Sequence, residues 1–127
     1  MKRVTKVSRR PTQMDAAKKG SFIMTTEDLR KSVKKTIHEI EPGAQIILYG
    51  SRSRNDSHNE SDWDLLILIY GPIDDNRIDR IRHRLYEIEW ETGEVMSSIV
   101  RNRKEWNSHP YTSTPFFKNI SREGITL

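Results

Sequence analysis

The sequence predicts an α/β (α+β) domain in which a small mixed sheet of three or more strands is flanked by helices. Three observations carry that expectation. Two strongly apolar runs, Gln45–Tyr49 and residues 63–70, have strand length and are bounded by turn residues. Stretches with apolar residues at helical spacing stand before the first run and after the second. The chain has 127 residues and 34% hydrophobic content, enough for one core and too little for two. Short strands alternating with helices bury their apolar faces by covering a sheet with helices.

Residues 1–24 are polar and charged, without helical or alternating apolar periodicity, and read as a disordered basic arm ahead of a domain spanning 25–127. The domain opens with Thr26 as expected N-cap, Glu27 and Asp28 in a first turn, and Leu29, Val33, Ile37 and Ile40 on one helical stripe that Pro42 and Gly43 stop. Gln45–Tyr49 then suits a buried strand ending at Gly50 and Ser51, and the polar stretch 52–61 separates it from the stronger strand at 63–70, closed by Gly71 and Pro72. From 74 to 92, Ile78, Ile81, Leu85 and Ile88 form the stripe of a long surface helix ending at Gly93. A third strand is expected over 95–100, and a short helix carrying Trp106 over 103–107. Thr114 and Pro115 start a final helix that places Phe116, Phe117 and Ile120 in the core and stops at Gly124.

Composition narrows the function classes. Cysteine is absent, so disulfides and thiolate metal sites are excluded, and a cytoplasmic location is the default expectation. The longest strongly apolar run, 65–70, is far shorter than the roughly 20 residues of a membrane span, and the basic start has no apolar core behind it to make a secretory signal. The net charge of +4 invites a nucleic-acid reading, but its distribution argues against one. The first 24 residues hold seven Lys/Arg against one acid, whereas the other 103 hold 15 basic and 17 acidic side chains. The basicity belongs to the arm, and nucleic acid is not the expected partner of the domain.

The segment that carries chemistry is Gly50-Ser51, a ten-residue spacer, then Asp62-Trp63-Asp64 at the head of an apolar strand. On a strand, Asp62 and Asp64 project from one face and Trp63 from the other. Two neighbouring carboxylates repel each other unless a cation joins them, and hard oxygen ligands suit Mg²⁺ or Mn²⁺. A Gly-Ser turn offers the complement: a backbone without a Cβ that phosphate can approach, and a hydroxyl and amide to bind it, with Arg52 and Arg54 adding charge. This is equipment for phosphoryl or nucleotidyl transfer.

These residues resemble the signature of the minimal nucleotidyltransferase domains of the DNA polymerase beta-like superfamily: a hydrophobic residue, Gly and Gly or Ser, about ten residues, then two Asp alternating with hydrophobic residues on a strand. The resemblance covers 29–100 and implies the nucleotidyltransferase fold and the transfer of a nucleoside monophosphate from an NTP, ATP foremost, to an acceptor hydroxyl. It implies that Asp62 and Asp64 are catalytic and hold Mg (or Mn), and that Gly50, Ser51 and Arg52 bind the nucleotide. The pattern also includes a third carboxylate on the third strand. Here Ser97 and Ser98 stand in its place, and Glu94, on the face of Ser98 by alternation, is the nearest acid. The alternative is therefore a catalytically weak or inactive nucleotide- and metal-binding module that acts through a partner. The resemblance implies a helical HEPN-type protein for that role, with this chain as the antitoxin of a toxin-antitoxin pair, and leaves a homodimer open. His38, His58, His83 and His109 lack metal-ligand spacing, and Trp63, Trp90 and Trp106 share no stacking pattern.

Overall fold

The computed structural model describes residues 25–50, 53 and 62–127. The expected arm and the loop residues Ser51, Arg52, Arg54 and His58 lie outside the described residues.

Helix α1 (Thr26–Ile40) is capped by Thr25, one residue earlier than expected. Its hydroxyl accepts from the Asp28 amide at 3.0 Å, and the Asp28 carboxylate accepts from the Thr25 amide at 3.1 Å. Of two adjacent threonines, the one with a carboxylate three residues on closes a capping box; Thr26 would have faced Leu29. Strand β1 (Gln45–Tyr49) leads to strand β2 (Trp63–Ile69), and helix α2 (Asp75–Thr92) crosses to strand β3 (Met96–Asn102). Helix α3 (Arg103–Trp106), a 3-10 turn (Tyr111–Ser113), helix α4 (Pro115–Glu123) and the two-residue strand β4 (Ile125–Thr126) complete the chain.

The sheet is four-stranded and mixed, in the order β3-β2-β1-β4. β1 runs antiparallel to both β2 and β4, while β2 and β3 are parallel, as the helical crossover requires. Expectation and structure agree on a mixed α/β sheet flanked by helices. β4 was not expected: two residues carry no readable alternation, and pairing with β1 alone makes them a strand.

Both faces of the sheet are covered. On one, Leu29, Val33 and Ile37 of α1 and Ile81, Leu85 and Ile88 of α2 pack on Ile46, Leu48, Trp63, Leu65, Ile67 and Ile69. On the other, Trp106 and Ile120 pack on Ile47, Leu66 and Leu68. Being covered twice, β2 reads as a continuous apolar run once past Asp64. The two helices of the first layer are tied at the end of the sheet where β1 starts. Arg77 donates from Nε and Nη2 to the two Glu41 carboxylate oxygens, each at 2.7 Å, and from Nη1 to the Pro72 carbonyl at 2.8 Å. Glu41 is the sole buried charged side chain among the described residues, and this fork satisfies it. No helix among the described residues is long and apolar enough to cross a membrane.

Candidate functional site

At the other end of the sheet, β1 finishes in a turn while β2 and β3 begin. Gly50 takes φ +78°, a left-handed conformation that a side chain resists, and its carbonyl accepts from both the amide (3.1 Å) and the hydroxyl (2.8 Å) of Ser53. A Cβ at Gly50 would lie 2.5 Å from Asp64 Oδ2. The missing side chain therefore makes room for the Asp64 carboxylate, a role beyond the open approach for phosphate that the sequence suggested.

Asp64 sits in the middle of three strands. It is registered with Tyr49 on β1 and with Ser97 on β3. Side chains in register share a face, so Tyr49, Asp64 and Ser97 lie on the side covered by α3 and α4, while Trp63 is buried on the opposite side. The expected division between Asp64 and Trp63 is met. Asp62 is exposed just ahead of β2, and Asp64 is half-buried. Burial holds the Asp64 carboxyl above its usual range, and the charge of Asp62 pushes it the same way. The Tyr49 phenol is also raised, first by burial and then by the charge on Asp64. Sequence reasoning passed over Tyr49, although its place directly before Gly50 put it opposite the head of β2.

Glu94 does not join this group. It is on the face of Ser98, as alternation predicts, but Ser98 is registered with Leu65, whose side chain is in the cluster under α1 and α2. Glu94 accepts from the Trp63 indole at 3.1 Å on that side. The period was right, and the register, which the sequence does not reveal, sends Glu94 away from Asp64. Ser97 takes the place beside Asp64. Among the described residues, no group of three or more His, Cys, Asp or Glu side chains is assembled to hold a metal ion.

The family model described as a nucleotidyltransferase domain matches residues 30–121. The chain belongs to the nucleotidyltransferase domain family. Among solved structures, this nucleotidyltransferase domain is similar to one described as a toxin-antitoxin with AMP-PNP, with a TM-score of 0.53 and 14% identity over 76% of this chain and 69% of that one. At that identity the likeness concerns the fold. No curated protein matches the sequence. The chemistry of the donors fits the divalent metals that nucleotidyltransferase domains generally use: a pair of carboxylates, one of them half-buried and raised first by that burial and then by its neighbour, is a set of hard oxygens suited to a divalent cation.

Proposed function

We propose that this nucleotidyltransferase domain binds a nucleoside triphosphate, ATP foremost, with Mg²⁺ or Mn²⁺ at Asp62 and Asp64, and transfers its nucleoside monophosphate to an acceptor hydroxyl, the bond between the α- and β-phosphates breaking and pyrophosphate leaving. The observation that carries the reading is the crowded charge at Asp64, whose carboxylate is half-buried, pressed against Gly50 and repelled by Asp62. Such an arrangement is costly for an empty site and apt for one that receives a cation. A divalent ion held there neutralises charge developing on the phosphates and aligns the attacking oxygen.

The chain's own residues have separable tasks. Asp62 and Asp64 hold the metal, and Gly50 keeps the Asp64 carboxylate in place through the space it leaves. Ser51 and Arg52, outside the described residues, are assigned to the triphosphate by their place in the motif. Ser97 is favourably placed to donate a hydrogen bond on the Asp64 face, but a neutral hydroxyl does not replace a carboxylate as metal ligand or base.

That substitution favours a second reading, a binding module with weak or no turnover that acts through a partner protein. A protein on the toxin side of a toxin-antitoxin pair is the partner consistent with the structural neighbour.

Calorimetric titration of ATP into wild-type and Asp64→Asn protein, with Mg²⁺ and with EDTA, tests the site. Binding that needs both the metal and Asp64 supports it, and incubation with labelled ATP and candidate acceptors then separates transfer from binding alone. Binding indifferent to Asp64 and to metal would overturn the assignment.

A further inference from the structure

The sequence expects Phe116 in the core together with Phe117. The structure buries Phe117 in part against Trp106 and leaves Phe116 36% exposed. Phe116 is held edge-to-face by two rings, Tyr49 at 5.5 Å and 79° and Trp106 at 5.5 Å and 82°. Two near-perpendicular supports fix the orientation of the ring, and among the described residues no aromatic lies parallel to it. The other exposed aromatics are engaged differently: Tyr70 lies beneath the Arg103 guanidinium at 5.1 Å, and Tyr86 and Trp90 stack on each other at 6.3 Å and 15°.

Location gives this ring its meaning. Tyr49, which supports Phe116, is the cross-strand partner of Asp64. Phe116 thus stands one side chain removed from the carboxylates, on the same face of the sheet. In a nucleoside triphosphate the base is separated from the phosphates by a ribose, so a triphosphate gathered at Asp62 and Asp64 has its base within reach of a surface beyond Tyr49.

We infer that Phe116, braced by Tyr49 and Trp106, is a stacking wall for the base of the nucleotide, an inference that rests on the nucleotide reading of the carboxylate pair. Every base presents a π face, so the wall adds affinity without reading base edges, and a preference for ATP is set by other contacts of the site.

The test compares Mg²⁺-ATP with Mg²⁺-tripolyphosphate, which has the charge and no base, by calorimetry on the whole chain. Wild-type protein is expected to bind ATP about tenfold more tightly than tripolyphosphate, the size of one good stacking contact. Phe116→Leu, which keeps an apolar side chain over Trp106, should erase that preference and leave tripolyphosphate affinity unchanged; Phe116→Trp should retain it. Equal loss of both ligands in Phe116→Leu would mark a structural role and overturn the inference. Tripolyphosphate binding that depends on Asp64, with no preference for ATP in wild-type protein, would also overturn it and leave the phosphate-metal reading standing. Absence of Asp64-dependent binding of either ligand would overturn both.

Discussion

Replacing Gly50 by alanine tests the coupling between the turn and the carboxylate. The substitution places an L side chain at φ +78°, which costs about 1–2 kcal/mol in the left-handed region. It also sets a Cβ 2.5 Å from Asp64 Oδ2, where ordinary contact begins at 3.4 Å, so the carboxylate must retreat by nearly 1 Å. Moving it off its preferred rotamer adds about 0.5–1.5 kcal/mol, for a total of about 1.5–3.5 kcal/mol. In urea unfolding this lowers the midpoint by about 1–2 M at the slope usual for small domains. The two parts separate in a double-mutant cycle. With Asp64→Ala as background the contact is gone, so Gly50→Ala should cost only the backbone part, leaving a coupling of about 0.5–1.5 kcal/mol. An equal cost in both backgrounds would show that Gly50 and Asp64 do not compete for space. A total below about 0.5 kcal/mol would refute the left-handed turn as well.

Two further outcomes are expected. Because the folded Asp64 carboxyl titrates above its ordinary value, its protonated form favours the fold: that contribution is complete below the usual aspartate pKa and is lost as pH rises through the folded value. Asp64→Asn should therefore be more stable than wild type near neutral pH, with the difference closing in acid, measured by thermal denaturation from pH 3 to 7 without metal; the same substitution should move the Tyr49 phenol back towards its ordinary range, read by ultraviolet absorbance against Tyr49→Phe. At the opposite end of the sheet, Arg77→Met leaves Glu41 buried without its fork and should cost about 3–5 kcal/mol in urea unfolding, whereas the double change Glu41→Met with Arg77→Met should recover most of that; a double variant as unstable as the single one would count against the ion pair as the cause.

The elements were legible because each is locally self-consistent. Leu29, Val33 and Ile37 keep helical spacing, α2 is bounded by Asp74 and a left-handed Gly93, and β2 is apolar on both faces. The opposite faces of Trp63 and Asp64 followed from alternation alone. What needed three dimensions was the relation between distant segments. The register Asp64↔Ser97 decides that Ser97 and not Glu94 stands beside the carboxylate, and nothing within residues 93–100 encodes it. Tyr49 and Phe116 are 67 positions apart in sequence, so their contact, and the greater exposure of Phe116 beside a half-buried Phe117, could not be read from either segment. Thr25 was missed for a local reason, the choice between two adjacent threonines, which the hydrogen bond to Asp28 settles.

The sheet has a chemical polarity. Gly50, Asp64 and Ser97 gather at one end, and the Glu41–Arg77 fork closes the other, where Gly43, Tyr70, Gly71 and Arg103 meet. The chain contains no cysteine, so a single one introduced near Gly71 would be a unique attachment point for a fluorophore or a surface tether. Ligand capture could then be watched, or the protein immobilised in one orientation, with the chemically bearing end left facing solution.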